Sequence, residues 1–600
     1  MFLLWGKYIR KYYLRYLLFF VIGIAALITV DWFQLELPEI IGSIVNKMKN
    51  DRGIDLTSYY FKSTMIHITY VAFVLFGGRV VWRLSLFFAS KKIEAHIRKE
   101  MFLKAEQLDV TYYQQNKIGN VMSWATNDLD TLQEFLGWGS LMLVDGVFLT
   151  IFAVSKMFVL NSSLALISFV PIVLIAILGA LCSKFMSESW RLRQESNDAL
   201  YDFSQESFTG IRVIKAFVKE IKQINEFSKI ARQNSNYNVK FTFVSTLYSV
   251  LIEIIIALIA AVILAFGGWF VYLTATGEKF YVFNKLVTLE AGDLITFFGY
   301  FFSLIWPMIA IGQVITNFSK ARTSYRRIAI FLEAPIIIKD KDDAVDIDIS
   351  GNIDFKHLSF NYPNSDKNIL SDISFEIKQG EIVGIVGTVG SGKTTLINML
   401  LHLYNINPHQ LFIDGVDISE IKVDCLRKGI ALAPQDNFLF SGSIIDNVSF
   451  ADELPNDEKA IESLFYSDMQ KDLNEFEHGA NTLINEGAKT ISGGQKQRVA
   501  LARAIYKDSP ILVLDDIVSA VDVSTEDTIL KNIRKIRDKK TTIIVASRIS
   551  TVMNADKVVV LNKGKVEAFA SPKELLNISE TFKTMYMLQK LSSKKGVKNA

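Results

Sequence analysis

Between residues 16 and 318 the sequence keeps returning to apolar runs long enough to cross a bilayer, near 16–45, 65–90, 138–160, 163–185, 244–275 and 292–318. A helix needs about 20 apolar residues to span the hydrocarbon. Lipid offers no partner to free backbone N–H and C=O groups, so each run is expected as a helix that closes its own hydrogen bonds. Six spans are therefore expected in the first half. Composition agrees: half of the residues are hydrophobic and the mean hydropathy is +0.26, high for a soluble chain. Six hundred residues also exceed one core, so a second domain is expected.

The connections alternate in character. After the second and fourth runs come long helix-forming segments rich in Lys and Arg, extending through Glu106 and Lys222. The positive-inside rule places these segments, and both termini, in the cytoplasm. At about 1.5 Å per residue they reach well beyond the hydrocarbon, as struts to something outside it. The opening "MFLLWGKYIRKYYLRYLLFF" sets Lys7, Arg10, Lys11 and Arg15 among aromatics ahead of the first run. That run shows no small-residue cleavage site, so a retained interfacial helix is expected rather than a signal peptide. A net charge of +3 gives no clustered basic surface, and nucleic acid is not expected as a partner. Cys182 and Cys425 are too few for a disulfide framework and are spaced for no metal site; both are read as buried or cytosolic thiols.

Past residue 350 the pattern changes to strand-like alternation. The expected division is a membrane domain at 1–330, a polar linker at 331–350 and a second domain at 351–600. Within the latter, "EIVGIVGTVGSGKTTLINMLL" reads as a buried strand, a glycine-rich turn and a helix start, with G-x-x-x-x-G-K-[ST] at Gly387 to Thr394. Backbone N–H groups of such a turn curl round an anion and the helix dipole adds to their field. Gly387, Gly390, Ser391, Gly392, Lys393, Thr394 and Thr395 are therefore expected to bind ATP, with Lys393 on the terminal phosphates and the Thr394 hydroxyl on Mg²⁺. Downstream, "PILVLDD" has the form of a buried parallel strand delivering a carboxylate, so Asp515 is expected to complete the Mg²⁺ shell.

Further motifs carry a family resemblance. "ISGGQ" at Ile491 to Gln495 is similar to the signature of ABC transporters, and "ALAPQDNFLF" holds Gln435 where that family has its Q-loop. "FNYPNSDKNIL" places Tyr362 as an adenine-stacking aromatic; "TLINEGAKTISGGQ" places Glu486 as the acid ahead of the signature, and "SAVD" resembles the D-loop. The cytoplasmic segments "TYYQQNKIGNVMSWATNDLDTL" and "ESFTGIRVIKAFVKE" resemble the family's coupling helices. The whole chain thus resembles half-size ABC exporters: a helical six-span membrane domain followed by an α/β P-loop ATPase domain. The resemblance implies ATP and Mg²⁺ as cofactors, Gln435 as a further Mg²⁺ and catalytic residue, and Ser492, Gly493, Gly494 and Gln495 as a contribution to a partner's ATP site.

Several residues depart from that pattern. Asp516 stands where the catalytic Glu is usual and Ser547 where the switch His is usual, while Asn485 and Ala488 replace common glycines. Asp is one methylene shorter than Glu, which matters where reach is decided to within about an ångström. The combination resembles the degenerate subunit of heterodimeric bacterial multidrug exporters, implying a second ABC half-transporter as partner, amphipathic small molecules as cargo and a multi-pass place in the cell membrane. A lipid or peptide exporter, and a non-hydrolytic ATP-gated regulator or channel, stay open as alternatives. For the cargo site, Asp145 and Glu253 are candidates because acids are costly in a spanning helix, and Trp306 offers a ring to a cation. Asp31 and Glu36 are read either as cavity acids or as partners of Arg79 or Arg83 near the outer surface.

Overall fold

The structure is a computed structural model describing residues 6–50, 59–282, 285–286, 288–363, 365, 367–485, 491–517 and 523–596, the side chains at 49–50, 170–184, 282–287, 311–312, 523 and 592–596 excepted. It divides into two units, one of residues 1–102 and 122–332, the other of 103–121 and 333–600.

The first unit is helical. A short amphipathic helix, Lys7–Arg15, buries Ile9 and Tyr12, and the Tyr12 hydroxyl donates to Glu100 at 2.7 Å. Long helices follow: Leu17–Gln34 and Glu36–Asn50, Tyr59–Gln107, Ser140–Leu160, Ser162–Thr209, Glu220–Thr276 and Ala291–Glu333. The 57 residues of Glu220–Thr276 rise about 85 Å, nearly three times a hydrocarbon core. Five helical stretches among the described residues are long and apolar enough to span a bilayer, against the six expected. The remaining expected run, 163–185, falls in helix Ser162–Thr209, where the side chains of 170–184 lie outside the described residues.

Packing in this unit depends on small residues and isolated polar locks. A Cβ added at Gly292 would come within 1.9 Å of the Gly42 carbonyl oxygen, so helices Glu36–Asn50 and Ala291–Glu333 meet backbone to backbone. Asn46 fastens the crossing, accepting from the Gly292 N–H at 2.6 Å and donating to Asp293 at 3.0 Å. Farther along the chain, a π-helical turn at Trp124–Asp128 carries the buried Asp128. Its carboxylate accepts from Ser324 at 2.8 Å and from the Arg327 Nε at 2.7 Å. A charge so shielded from water persists because it is paired and hydrogen-bonded.

In the second unit a six-stranded sheet runs in the order Lys565–Ala570, Lys557–Asn562, Ile382–Gly387, Thr541–Val545, Ile511–Asp515, Ile430–Ala433. All neighbours are parallel except the edge pair of Lys565–Ala570 with Lys557–Asn562. Every residue of Ile511–Asp515 and Thr541–Val545 is buried, as expected of parallel strands covered on both faces. A four-stranded antiparallel sheet packs beside it, built from Leu370–Ile377, Ile353–Phe360, Leu411–Ile413 and Val416–Asp417. The two sheets share a core that includes Ile353, Phe355, Leu396, Val513 and Val545. A further cluster, around Ile444, Leu464, Val499 and Tyr506, organises a helical region that holds helix Gly493–Lys507. Cys425 is a half-buried free thiol, and the side chain of Cys182 lies outside the described residues.

Candidate functional site

Register decides which residues meet. Strand Thr541–Val545 lies between Ile382–Gly387 and Ile511–Asp515, with Val545 opposite both Ile385 and Asp515. The carboxyl ends of three parallel strands therefore come together, and open α/β sheets take their ligands at such ends. One strand leads into the phosphate loop, one ends at Asp515 and Asp516, and one leads to Ser547.

The phosphate loop is shaped by its sequence. Gly392 holds φ at +99°, a left-handed conformation, and caps helix Lys393–Leu400; a side chain there would be strained and would press on Leu370. Lys393 donates from Nζ to the carbonyls of Gly387 at 2.9 Å and Thr388 at 3.2 Å. Burial pushes its ammonium below the ordinary lysine range, against the pull of Asp516 and Asp515. Ser391 is 1% exposed and its hydroxyl has no partner among the described residues, in a loop whose amides suit phosphate. Thr394 lies beside Asp515, whose carboxyl is raised by burial and by the charge of Asp516, against the opposing pull of the Thr394 hydroxyl. A Thr hydroxyl beside a carboxylate is a hard-oxygen donor set, and it fits Mg²⁺. Tyr362 follows strand Ile353–Phe360, and its hydroxyl lies 3.0 Å from that of Thr395, on the phosphate-loop helix.

Asp516 and Ser547 engage each other. The Ser547 hydroxyl lies 2.8 and 2.9 Å from the two oxygens of the Asp516 carboxylate, and its backbone N–H is 3.4 Å from one of them. Asp516 adopts φ +50°, and its N–H donates to the Val545 carbonyl at 2.9 Å. A non-glycine residue in this region carries strain that surrounding structure must sustain. Both carboxylate oxygens are thus directed to the neighbouring strand's serine.

The signature forms a helix start. Ser492 caps Gly493–Lys507, accepting from the Gln495 N–H at 3.2 Å, and Gln495 returns the contact by accepting from the Ser492 N–H at 2.8 Å. Gln495 also donates to Asp472 at 2.8 Å, and Asp472 pairs with Arg498 at 2.6 Å. Gln495 is therefore engaged in shaping this turn, whereas Gly493 and Gly494 leave the helix-start amides uncovered by side chains. Gln435 is exposed, as is Asn485. Glu486, Ala488 and the "SAVD" stretch lie outside the described residues.

In the membrane unit the Trp306 indole donates to Asp145 at 2.6 Å, linking helices Ala291–Glu333 and Ser140–Leu160. Asp31, 1% exposed, contributes a third group close enough to Asp145 for the two carboxyls to interact, and its Oδ2 has no hydrogen-bond partner among the described residues. Glu253 is exposed on its helix, and among the described contacts none joins it to this cluster. Arg79 reaches Gln34 at 3.4 Å, Arg83 lies over the Trp82 ring, and Glu36 lies 3.3 Å from His67. Neither arginine is thus seen with Asp31 or Glu36, the pairing set out above. Sequence reasoning also missed a cavity of about 260 Å³ bordered by Glu39, Asn46, Lys156, Asp293, Thr296 and Tyr300. There Lys156 pairs with Glu39 at 2.6 Å and lies 4.9 Å from the centre of the Trp32 ring. A lysine in the apolar run at 138–160 was the available signal.

Comparison with known proteins agrees with both halves of the chain. Residues 20–308 match the ABC transporter transmembrane region, and 370–519 match the ABC transporter domain. A probable multidrug resistance ABC transporter ATP-binding/permease protein of Bacillus subtilis (strain 168), YheI, is 30% identical, covering 98% of this chain and 97% of its own length. The multidrug resistance-like ATP-binding protein MdlA of Escherichia coli (strain K12) is 28% identical over 98% of this chain and 96% of its own. An ATP-dependent lipid A-core flippase of Pseudoalteromonas translucida (strain TAC 125) is 27% identical over 95% of each. The fold is that of a bacterial Atm1-family ABC exporter solved with ATP bound: TM-score 0.76 and 21% identity, covering 97% of this chain and 98% of that one.

Proposed function

This chain belongs to the ABC exporters, membrane proteins that fuse a multi-pass region to a cytoplasmic ATPase domain, and from that premise we propose that it is the degenerate-site half of a heterodimer exporting amphipathic compounds. The observation that carries this reading is the closed pair of Asp516 and Ser547. A general base must lie within hydrogen-bond reach of the proton it takes. Here the base position is short by a methylene and both its oxygens face a serine hydroxyl. Ser547 has no imidazole to extend toward a terminal phosphate. The chain's own site accordingly holds ATP and turns it over slowly.

Binding and hydrolysis separate along this site. Tyr362 offers a stacking face to adenine, the phosphate loop and Lys393 take the phosphates, and Thr394, Asp515 and Gln435 are the residues that would hold Mg²⁺. When bound, Mg²⁺ supplies neutralisation of charge on the phosphate oxygens. Ser492, Gly493 and Gly494 serve the partner's site, where helix-start amides face a terminal phosphate. The domain limits 1–330, 331–350 and 351–600, six spans, and both termini in the cytoplasm belong to the same proposal.

For cargo, the cluster of Asp31, Asp145 and Trp306 supports a polar point between three helices suited to amphipathic cations. The flippase among the relatives favours lipid as the second reading. Copurification tests the assignment: the tagged chain should carry a second ABC half-transporter, and the pair should show cation-stimulated ATPase that the chain alone lacks. Full stimulated turnover by the chain alone contradicts it; stimulation by lipid and not by cationic amphiphiles selects the second reading.

A further inference from the structure

Residues 103–121 belong to the same compact unit as the ATPase domain, and one side chain in that segment reaches toward the nucleotide platform. At the centre of the segment is a short helix, Val110–Gln115, capped by Asp109, which accepts from the Tyr112 N–H at 3.1 Å. From this helix Gln114 donates through Nε2 to the hydroxyl of Tyr404 at 2.8 Å. Tyr404 lies just past the phosphate-loop helix Lys393–Leu400 and is 4% exposed. Its ring meets that of Tyr362 edge to face, centroids 5.3 Å apart at 82°. Phe360 closes the triangle, 5.2 Å from Tyr362 and 5.6 Å from Tyr404. Tyr362 in turn contacts Thr395 through its hydroxyl.

We infer that Tyr404 is a positioning residue that ties the face for the nucleobase to the coupling helix through Gln114, so that the coupling segment responds to the base of the nucleotide as well as to its phosphates. Edge-to-face rings hold one another's orientation, and a packed interior transmits displacement instead of absorbing it. A base settling on Tyr362 therefore fixes the Tyr404 ring, and the Tyr404 hydroxyl fixes Gln114. A phosphate chain without a base engages the loop and adds no contact to the Tyr362 ring. Nothing in the phosphate motif requires a tyrosine at 404: a phenylalanine would fill the same space, and only the hydroxyl makes the contact with Gln114. This inference rests on Tyr362 being the adenine platform.

Hydrogen exchange of residues 103–121 in the full-length transporter in lipid nanodiscs tests it, comparing saturating ATP with saturating inorganic triphosphate. ATP should protect the segment at least about twice as strongly. Tyr404→Phe and Gln114→Leu should each lower the ATP effect to that of triphosphate, leave bound radiolabelled ATP unchanged within about twofold, and combine without further loss. Gln114→Glu, whose carboxylate accepts from the Tyr404 hydroxyl, should restore the effect, which a purely structural role does not predict. Equal protection by ATP and triphosphate, or full ATP protection in both variants, overturns the relay. Tyr362→Ala separates the underlying reading: if it weakens neither ATP binding nor the preference for ATP over triphosphate, the platform assignment fails and the relay with it. If it weakens both while the Tyr404 and Gln114 variants behave as wild type, the platform stands and the relay alone is lost.

Discussion

The phosphate loop and the Asp516–Ser547 pair occupy the ends of adjacent strands in one sheet, yet they differ in what surrounds their polar groups. In the loop, Ser391 is buried with its hydroxyl unmet among the described residues, and Lys393 is held by two backbone carbonyls and lowered by burial. At the other end, both Asp516 oxygens are engaged by Ser547. Groups with unmet or exchangeable contacts are disposed to a ligand; groups that satisfy one another are disposed to stay as they are. One nucleotide site can therefore keep its affinity while its water-activating end closes. The signature at Ser492 lies elsewhere in the unit, on its own helical region, so the service to a partner proposed for it does not depend on that closure.

The largest effect should come from breaking this separation at the signature. Gly493→Asp sets a carboxylate where a partner's phosphate is expected, and should lower the ATPase of the assembled transporter by about 100-fold. Lys393→Ala in this chain should lower it by about threefold or less while accelerating loss of bound ATP. Equal losses from the two variants would erase the distinction between the chain's two contributions. Next in size, Asp516→Glu combined with Ser547→His should raise single-turnover hydrolysis at this chain's site by about tenfold or more, since a positioned base contributes about 10²–10⁴-fold. Ser547→Ala alone should release the carboxylate without lengthening it and give little gain; a gain equal to that of the double change would locate the defect in the serine.

Asp145→Asn should reduce stimulation by cationic compounds about tenfold, the scale of a lost charged hydrogen bond, and leave neutral compounds nearly unaffected. Trp306→Phe should have a smaller effect, keeping the ring and losing its N–H. Glu253→Gln, on an exposed face, should show no preference between cations and neutral compounds in the same assay. The smallest effect belongs to a remote lock: Asp128→Ala should destabilise the membrane unit by about 1–3 kcal/mol, read as a lower melting temperature in detergent, with nucleotide affinity unchanged.

Sequence legibility followed the range over which each feature is determined. The phosphate loop was readable because strand, turn and helix are contiguous from Glu381 to Leu401. The identities of Asp516 and Ser547 were equally plain, but their engagement depends on the pairing of strands Ile511–Asp515 and Thr541–Val545, which no local pattern specifies. Asp145 and Trp306, 161 residues apart, were chosen as costly or ring-bearing residues in spanning helices, and the structure places them in contact. Glu253 was chosen for its apolar flanks. Those flanks separate lipid from water and do not separate one face of a helix from another, because in a bilayer both faces are apolar. Tyr404 carries no motif and Gln114 lies in the segment that resembles a coupling helix; only the fold brings the two together.

Identifying the nucleotide on each subunit during turnover tests the central claim most directly. The assembled transporter would be cycled with radiolabelled photoreactive ATP, crosslinked and acid-quenched at times shorter and longer than one turnover, and the label on each chain identified as ATP or ADP. This chain should carry ATP across several turnovers while its partner alternates between ATP and ADP. ADP accumulating on this chain at the turnover rate would show Asp516 to be an adequate base and would contradict the account.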